Sequence, residues 1–186
     1  MSRYRIHTEE TAPEGSKEAL RQLQSEIGLV PNLAGAMAES PAVVGAFTAM
    51  RSAYGKSTLT PLERELVLLV AAVELGNSYG VAVHSTVAKG MGASPELLDA
   101  LRSSLDGSDD RISAITRATR SIAHGETPTK DELDVLGLVG LSNGQILDLV
   151  CGVSIGRLVA SVFSMAPDTD LDAPFQPQGW NGVSAN

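Results

Sequence analysis

The sequence predicts an all-α protein, a single-domain helical bundle of about eight helices. Apolar residues recur at three- and four-residue spacing along most of the chain, which is typical of helices with one buried face. Several helix starts are marked by Ser or Thr followed by proline, or by glutamate three residues later. No stretch alternates apolar and polar residues over a length that would favour a strand. With 186 residues, 43% of them hydrophobic, the chain is long enough to build one core.

The first half of the chain divides into an arm and five predicted helices. Residues 1–14 are polar and predict an N-terminal arm, and residues 15–166 form the predicted helical domain. Ser16 is a candidate cap for a first helix, Asn32 for a short second one and Ser78 for the fifth. Thr60 and Glu63 have the spacing of a capping box, with proline between them at the first helical position. The predicted ranges in order are 16–28, 33–39, 41–54, 61–76 and 79–91.

The second half continues in the same way and ends in a polar tail. A second capping box opens at Thr129, and Ser142 opens the last long helix. The predicted helices are 95–104, 110–124, 129–138 and 142–165. Residues 167–186 are too polar to make a core of their own, but they contain Phe175 and Trp180. The pattern leaves two possibilities open, a tail docked on a protein surface and a disordered tail.

Charge and cysteine content exclude several classes of function. The net charge of −8 repels nucleic-acid phosphates and anionic lipids, so neither is an expected partner. Cys151 is the single cysteine, which excludes an internal disulfide and any paired-cysteine redox or zinc site. The N-terminus lacks the apolar segment of a secretory signal, and the longest apolar run spans eight residues, 66–73. We therefore expect a cytoplasmic protein with no membrane partner.

The residues most able to carry chemistry lie between positions 60 and 91. Glu65 belongs to one apolar helix and His84 to the next, with a turn between the two helices. If these helices fold back as a hairpin, Glu65 and His84 both lie two to three turns from the bend. Since each helical residue advances about 1.5 Å along the axis, the two side chains then lie at nearly the same depth. Tyr79 begins the second helix. A carboxylate, an imidazole and a phenol could then converge in one pocket, where a Glu–His pair is suited to proton transfer near neutral pH.

A purely structural role for these residues is the alternative interpretation. A single histidine on an apolar helix is often a core residue with satisfied hydrogen bonds, and a glutamate in the first turns of a helix often complements the helix dipole. His7 and His124 are weaker candidates, one in the arm and one beside a helix-ending glycine. No spacing of His and carboxylates suits a metal, so no metal site is predicted.

Residues 60–94, TPLERELVLLVAAVELGNSYGVAVHSTVAKGMGAS, resemble the core of the carboxymuconolactone decarboxylase / alkyl hydroperoxidase D-like superfamily. The segments 27–32 (IGLVPN) and 39–41 (ESP) resemble the lead-in of its peroxidase-related members, and 127–129 (TPT) and 141–150 (LSNGQILDLV) resemble their second half. The resemblance covers about residues 15–175. It implies an all-helical domain that forms homo-oligomers, as trimers, hexamers or dimers, with sites near subunit contacts.

The same resemblance assigns family positions and shows what this chain has lost. The peroxidase-related pattern is a glutamate, a Cys-x-x-Cys pair and a histidine four residues after the second cysteine. Glu65, Tyr79 and His84 match the glutamate, a common tyrosine and the histidine, whereas Asn77 and Gly80 stand at the cysteine positions. Peroxide reduction needs a thiolate and a second thiol. We therefore do not expect thiol peroxidase activity.

Three functional hypotheses remain. The first is a cofactor-independent lyase or isomerase acting on a small oxygenated acid or lactone. In it, His84 and Glu65 move the proton, Tyr79 donates a hydrogen bond, and Asn77 and Gly80 contact the substrate. The second is a non-catalytic family member that binds a small molecule or serves in an assembly. The third is a peroxidase-related antioxidant, which the two replaced cysteines disfavour.

Overall fold

The computed structural model describes residues 3–107 and 109–182 and confirms the all-helical fold class. These residues contain nine α-helices, one for each of the nine predicted ranges, and one 3₁₀ helix, Ala173–Gln178. The α-helices are α1 Glu14–Ile27, α2 Asn32–Met37, α3 Pro41–Tyr54, α4 Pro61–Glu74, α5 Ser78–Gly90, α6 Pro95–Arg102, α7 Asp110–His124, α8 Lys130–Leu138 and α9 Asn143–Met165.

The capping boxes form where the sequence places them. Thr60 accepts a hydrogen bond from the backbone N–H of Glu63, and the Glu63 carboxylate accepts one from the N–H of Thr60 in return. Thr129 opens α8 with the same reciprocal pair, and Ser142 opens α9 with Gln145 as its partner. These caps satisfy N–H groups that the first helical turn leaves free, so they define the helix starts locally.

Three predicted caps are wrong. Helix α1 begins before Ser16, whose buried hydroxyl donates to the carbonyl oxygen of Ala38 at 2.7 Å. Asn32 is the first residue of α2 rather than its cap. Helix α5 is capped by Asn77 instead of Ser78, because the Asn77 side chain accepts the backbone N–H of Gly80 at 3.0 Å. In each case a neighbouring residue occupies the capping position.

Helix α4 is the centre of the molecule. Its residues 66–73 are all buried, and it packs against α5, α6, α7 and α9. At its start, Glu63 is buried and accepts a hydrogen bond from the Arg111 guanidinium on α7 at 2.6 Å. Burial would raise the pKa of Glu63, but the hydrogen bonds from Arg111 and Thr60 outweigh burial and lower it.

The described parts of the arm and of the tail pack on the bundle of the same chain. In the arm, His7 is buried and its backbone N–H donates to the carbonyl of Gly35. In the tail, Phe175 is buried, and the indole N–H of Trp180 donates to the carbonyl of Arg102 at 3.2 Å. Of the two possibilities left open for the tail, docking therefore describes residues 167–182.

Helix α9 is apolar on most of its circumference. By length and composition it could span a membrane, since its most apolar 18-residue window has a mean hydropathy of 1.9. Asp148 and Arg157 interrupt its apolar residues, so the helix is not one continuous apolar run in the sequence. A core helix of a globular protein satisfies the same criteria, so the helix is weak evidence for a membrane. It packs on α3, α4 and α7 in the bundle.

Candidate functional site

The α4–α5 hairpin brings Glu65 and His84 into direct contact, as the depth argument predicts. His84 Nδ1 lies 2.9 Å from Glu65 Oε2. Because an ionised carboxylate only accepts hydrogen bonds, Nδ1 carries the proton and neutral His84 has its lone pair on Nε2. Within the described part of the chain, Nε2 has no hydrogen-bond partner. Both side chains are partly accessible, with 17% of His84 and 19% of Glu65 exposed.

This pair lines a cavity of about 420 Å³ enclosed by α1, α2, α3, α4, α5 and α9. Most of the wall is apolar, and Phe175 of the docked tail contributes to it. The volume suits a ligand of small-molecule size. Apolar wall residues include Leu33, Met37, Phe47, Val83, Val87 and Val159. The proton-transfer pair therefore lies beside a space that a small organic molecule could fill.

All three histidines pair with a glutamate, but the other two pairs do not line this cavity. His7 Nε2 lies 2.8 Å from Glu39, and its Nδ1 contacts the carbonyl oxygen of Thr11 at 2.9 Å. His124 contacts Glu74 at 2.9 Å on the surface of α7. A His–Glu contact alone is thus no sign of chemistry in this protein. His124 also keeps one ring nitrogen without a partner among the described residues, so the adjoining cavity is what distinguishes His84.

Tyr79 lines the cavity, but its hydroxyl is engaged in the scaffold. The phenol donates to Asp172 of the tail and accepts the backbone N–H of Leu33 at 3.3 Å. Asp172 also accepts the backbone N–H of Asn32 at 3.1 Å. Burial raises the pKa of Tyr79, and the Asp172 carboxylate raises it further. These bonds hold α5, α2 and the tail together, and a hydrogen bond from Tyr79 to substrate stays a prediction.

The two family cysteine positions lie at the turn end of the hairpin and are tightly packed. A Cβ atom added to Gly80 would lie 2.7 Å from Nδ2 of Asn77 and 3.1 Å from Cβ of Ala72. The space expected beside Gly80 for a ligand is therefore filled by the Asn77 amide. Both residues still contribute to the cavity wall. Their predicted role in substrate binding stays a prediction.

The single thiol lies elsewhere. Cys151 packs in a core cluster with α3 and α4 residues and is absent from the cavity wall. Burial raises the pKa of the Cys151 thiol, and the nearby Asp148 carboxylate adds to the effect. The thiolate needed to attack a peroxide is thereby disfavoured.

Arg51 is a cavity residue that the sequence analysis missed. It lies near the end of α3, with its guanidinium 5.7 Å from the centre of the Phe47 ring. The i, i+4 spacing of Phe47 and Arg51 predicts that they neighbour each other, but nothing in the sequence shows which way this helix face points. The side chain is half-buried in the folded chain.

One family model matches the chain. Residues 41–120 match the model of the Carboxymuconolactone decarboxylase family. This range contains α4, α5 and the Glu65–His84 pair. No curated protein matches the chain in sequence.

Several solved structures share the fold. A peroxidase-related protein from Ralstonia eutropha JMP134, described as an alkylhydroperoxidase AhpD core, has a TM-score of 0.82 at 18% identity, covering 97% of each chain. A peroxidase-related protein from Silicibacter sp. TM1040 has a TM-score of 0.74 at 22% identity, covering 89% of each chain. A variant of the debrominase Bmp8 in complex with 2,3,4-tribromopyrrole has a TM-score of 0.73 at 13% identity, again covering 89% of each chain. At such low sequence identities, the structural similarity of these proteins to the chain shows that they share its fold.

Proposed function

We propose that this chain, of which residues 41–120 match the Carboxymuconolactone decarboxylase family model, is a cofactor-independent lyase or isomerase of small oxygenated acids or lactones within the carboxymuconolactone decarboxylase / alkyl hydroperoxidase D-like superfamily. The observation that carries the proposal is the Glu65–His84 pair, bonded at 2.9 Å beside a cavity of about 420 Å³. The cavity wall has no cysteine, so chemistry there depends on proton transfer rather than on a thiol.

The proposed mechanism uses His84 Nε2 as the base and acid. Glu65 holds the proton on Nδ1, so the lone pair of Nε2 is available to accept a proton from a carbon next to a carbonyl group. The Glu65 carboxylate then stabilises the imidazolium. In an isomerisation, Nε2 returns the proton to a different carbon. In a decarboxylation, Nε2 first accepts the carboxyl proton of the substrate, and the imidazolium returns that proton to the enolate carbon that remains after CO₂ leaves.

The apolar wall supports this chemistry. Few polar groups compete with the reacting atoms for the imidazole, and the limited space excludes much of the bulk water. In such surroundings the Glu65–imidazolium interaction is stronger than it is in water. The complex of debrominase Bmp8 with 2,3,4-tribromopyrrole adds that one protein of this fold binds a small ring compound.

The test is turnover of a panel of small oxo acids, hydroxy acids and lactones, followed by NMR in D₂O. This readout detects both new products and deuterium exchange next to a carbonyl group. We expect His84→Gln to lower kcat/KM by roughly 10²–10⁴-fold, the usual contribution of a general acid or base. His7→Gln is the matched control, since it removes a His–Glu pair that does not line the cavity, and its activity should stay within about twofold of wild type.

Two results would count against the enzyme proposal. One is a His84→Gln variant that turns substrate over at the wild-type rate. The other is binding of panel compounds with no exchange and no product. The second result favours the non-catalytic binding hypothesis, which the same cavity supports.

Self-association and a cytoplasmic location stay predictions. Exposed apolar side chains on α8 and α9 support self-association, because apolar surface that one chain leaves exposed is often covered at a protein interface. Leu138 is 86% exposed and Leu147 is 70% exposed. A homotrimer, hexamer or dimer could each cover this surface.

A further inference from the structure

Arg51 is a half-buried cation with no anion beside it. Within the described part of the chain it forms no salt bridge or side-chain hydrogen bond, and its Nε atom is buried without a partner. Its guanidinium contacts the face of Phe47, which supplies a weak electrostatic attraction but accepts no strong hydrogen bond. Burying a polar N–H without an acceptor costs free energy. Within the described residues, the buried Nε–H of Arg51 is thus left without an acceptor.

The other half-buried arginines in the described residues all have acceptors. Arg111 binds the carboxylate of Glu63, and Arg120 binds the carboxylates of Glu74 and Asp106. Arg64 and Arg102 donate to backbone carbonyls, Arg102 also to the Gln178 side chain. Arg51 differs from them in lining the cavity. Arg51 lies near the C-terminus of α3, where a positive charge interacts favourably with the helix dipole. That interaction does not explain why its Nε atom is buried without an acceptor among the described residues.

The acidic residues of the cavity do not neutralise Arg51. Glu65 is bonded to His84, and the exposed Glu26 accepts a hydrogen bond from Gln22. No carboxylate oxygen of the described residues lies within 4.0 Å of an Arg51 nitrogen. Among the described residues, the cavity wall therefore has one positive side chain without an acceptor, Arg51, and most of its other side chains are apolar.

We propose that Arg51 binds the carboxylate of a small monocarboxylic acid in this cavity. The planar guanidinium presents paired N–H groups that match the two oxygens of a carboxylate. The apolar wall suits the rest of a small organic acid. A single cation in an apolar cavity of a chain with net charge −8 favours a monoanion over a phosphate dianion. The proposal deepens the proposed function, on which it rests for the reaction, by selecting acids over lactones.

Calorimetric titration with hexanoate tests the proposal, and hexanamide serves as the neutral ligand of the same shape. We expect the wild type to bind hexanoate at least about tenfold more tightly than hexanamide, the size of one charge-assisted hydrogen bond. Arg51→Gln should weaken hexanoate binding by roughly 10–100-fold and change hexanamide binding by less than about threefold. Lys56→Gln removes the same charge from an exposed position just after α3 and should leave hexanoate binding unchanged.

Circular dichroism and urea unfolding confirm that each variant is folded. Equal hexanoate binding by wild type and Arg51→Gln would overturn the proposal, as would equal affinity of wild type for hexanoate and hexanamide, or no hexanoate binding at all. Inorganic phosphate that displaces hexanoate at equal concentration would overturn the choice of a monocarboxylate.

The two proposals fail separately. His84→Gln should keep hexanoate binding while losing turnover, because it changes the proton-transfer group and leaves Arg51 in place. Arg51-dependent hexanoate binding without turnover of any acid would contradict the proposed function alone. Turnover of lactones and acids that is indifferent to Arg51→Gln would contradict the carboxylate site alone.

Discussion

The two ends of the α4–α5 hairpin differ in how far their polar groups are already bonded. Near the turn, the Asn77 side chain caps α5, and the Tyr79 hydroxyl has partners in the tail and in α2. Two turns further along α5, His84 bonds to Glu65 through one ring nitrogen and keeps the other free. Both ends line the same cavity. The polar groups at the turn end are thus bonded within the scaffold, whereas the far end keeps the free ring nitrogen that the proposed proton transfer requires.

This division follows from the residues at the two cysteine positions of the family pattern. A thiol at each position would place the reactive group at the turn. Here the Asn77 amide fills the space next to Gly80, so the turn is closed by packing. The glutamate and histidine of the pattern are kept and remain accessible. Loss of the thiols is thus compatible with a working acid–base pair.

The largest loss of stability should come from adding a side chain at the turn end. Gly80→Cys places a Cβ against Asn77 and Ala72, and we expect it to lower the free energy of unfolding by about 3 kcal/mol, the upper range for overpacking. In an Asn77→Cys background the amide is absent, so Gly80→Cys should lower the free energy of unfolding by at least about 1 kcal/mol less than it does in wild type. Urea unfolding of the four proteins measures this coupling. Strictly additive costs would show that Asn77 does not close the turn.

An intermediate effect is expected from releasing the tail. Tyr79→Phe removes the phenol donor to Asp172 and the acceptor of the Leu33 N–H, which should cost about 2 kcal/mol. Trp180, the single tryptophan, lies in the tail and reports its release by fluorescence. If Tyr79 is scaffold, kcat/KM should stay within about threefold of wild type. A loss of 10²-fold or more in a folded variant would instead support Tyr79 as a hydrogen-bond donor to substrate.

The smallest effect should come from Glu63, two residues before Glu65 on α4. Glu63→Gln keeps the capping box with Thr60 but weakens the bond to Arg111, which should cost about 1 kcal/mol at pH 7. The pKa of Glu63 is lowered in the folded chain, so its charge stabilises the fold above the pH where the unfolded carboxyl ionises, about 4.3. This contribution is lost as the pH falls through the folded pKa.

Urea unfolding between pH 3 and 7 measures this difference. Wild type and Glu63→Gln should converge in stability toward the acid end. Glu132→Gln is the control, because Glu132 occupies the same capping-box position at the start of α8 without an arginine partner. A difference in the free energy of unfolding between wild type and Glu63→Gln that stays constant with pH would contradict an ionic interaction between Glu63 and Arg111.

Much of the fold was predictable because its signals are local. The capping boxes at Thr60, Thr129 and Ser142 depend on residues three positions apart, so the sequence alone places these helix starts. The contact of Glu65 with His84 was predictable for a similar reason, since a short turn brings equal depths of two helices together. Ser16 was misjudged as a cap because its hydroxyl bonds to Ala38, 22 residues away, which no local pattern reveals.

By itself, the sequence determined the helical class, the helix starts at the capping boxes, the loss of both family cysteines and the pairing of Glu65 with His84. Only the tertiary structure decided which groups remain accessible. The Tyr79 hydroxyl is bonded to Asp172, 93 positions later in the chain, whereas Arg51 lines the same cavity and has no acceptor among the described residues. Helical periodicity specifies which residues share a face, but the partner of a side chain depends on which distant segments pack against that face.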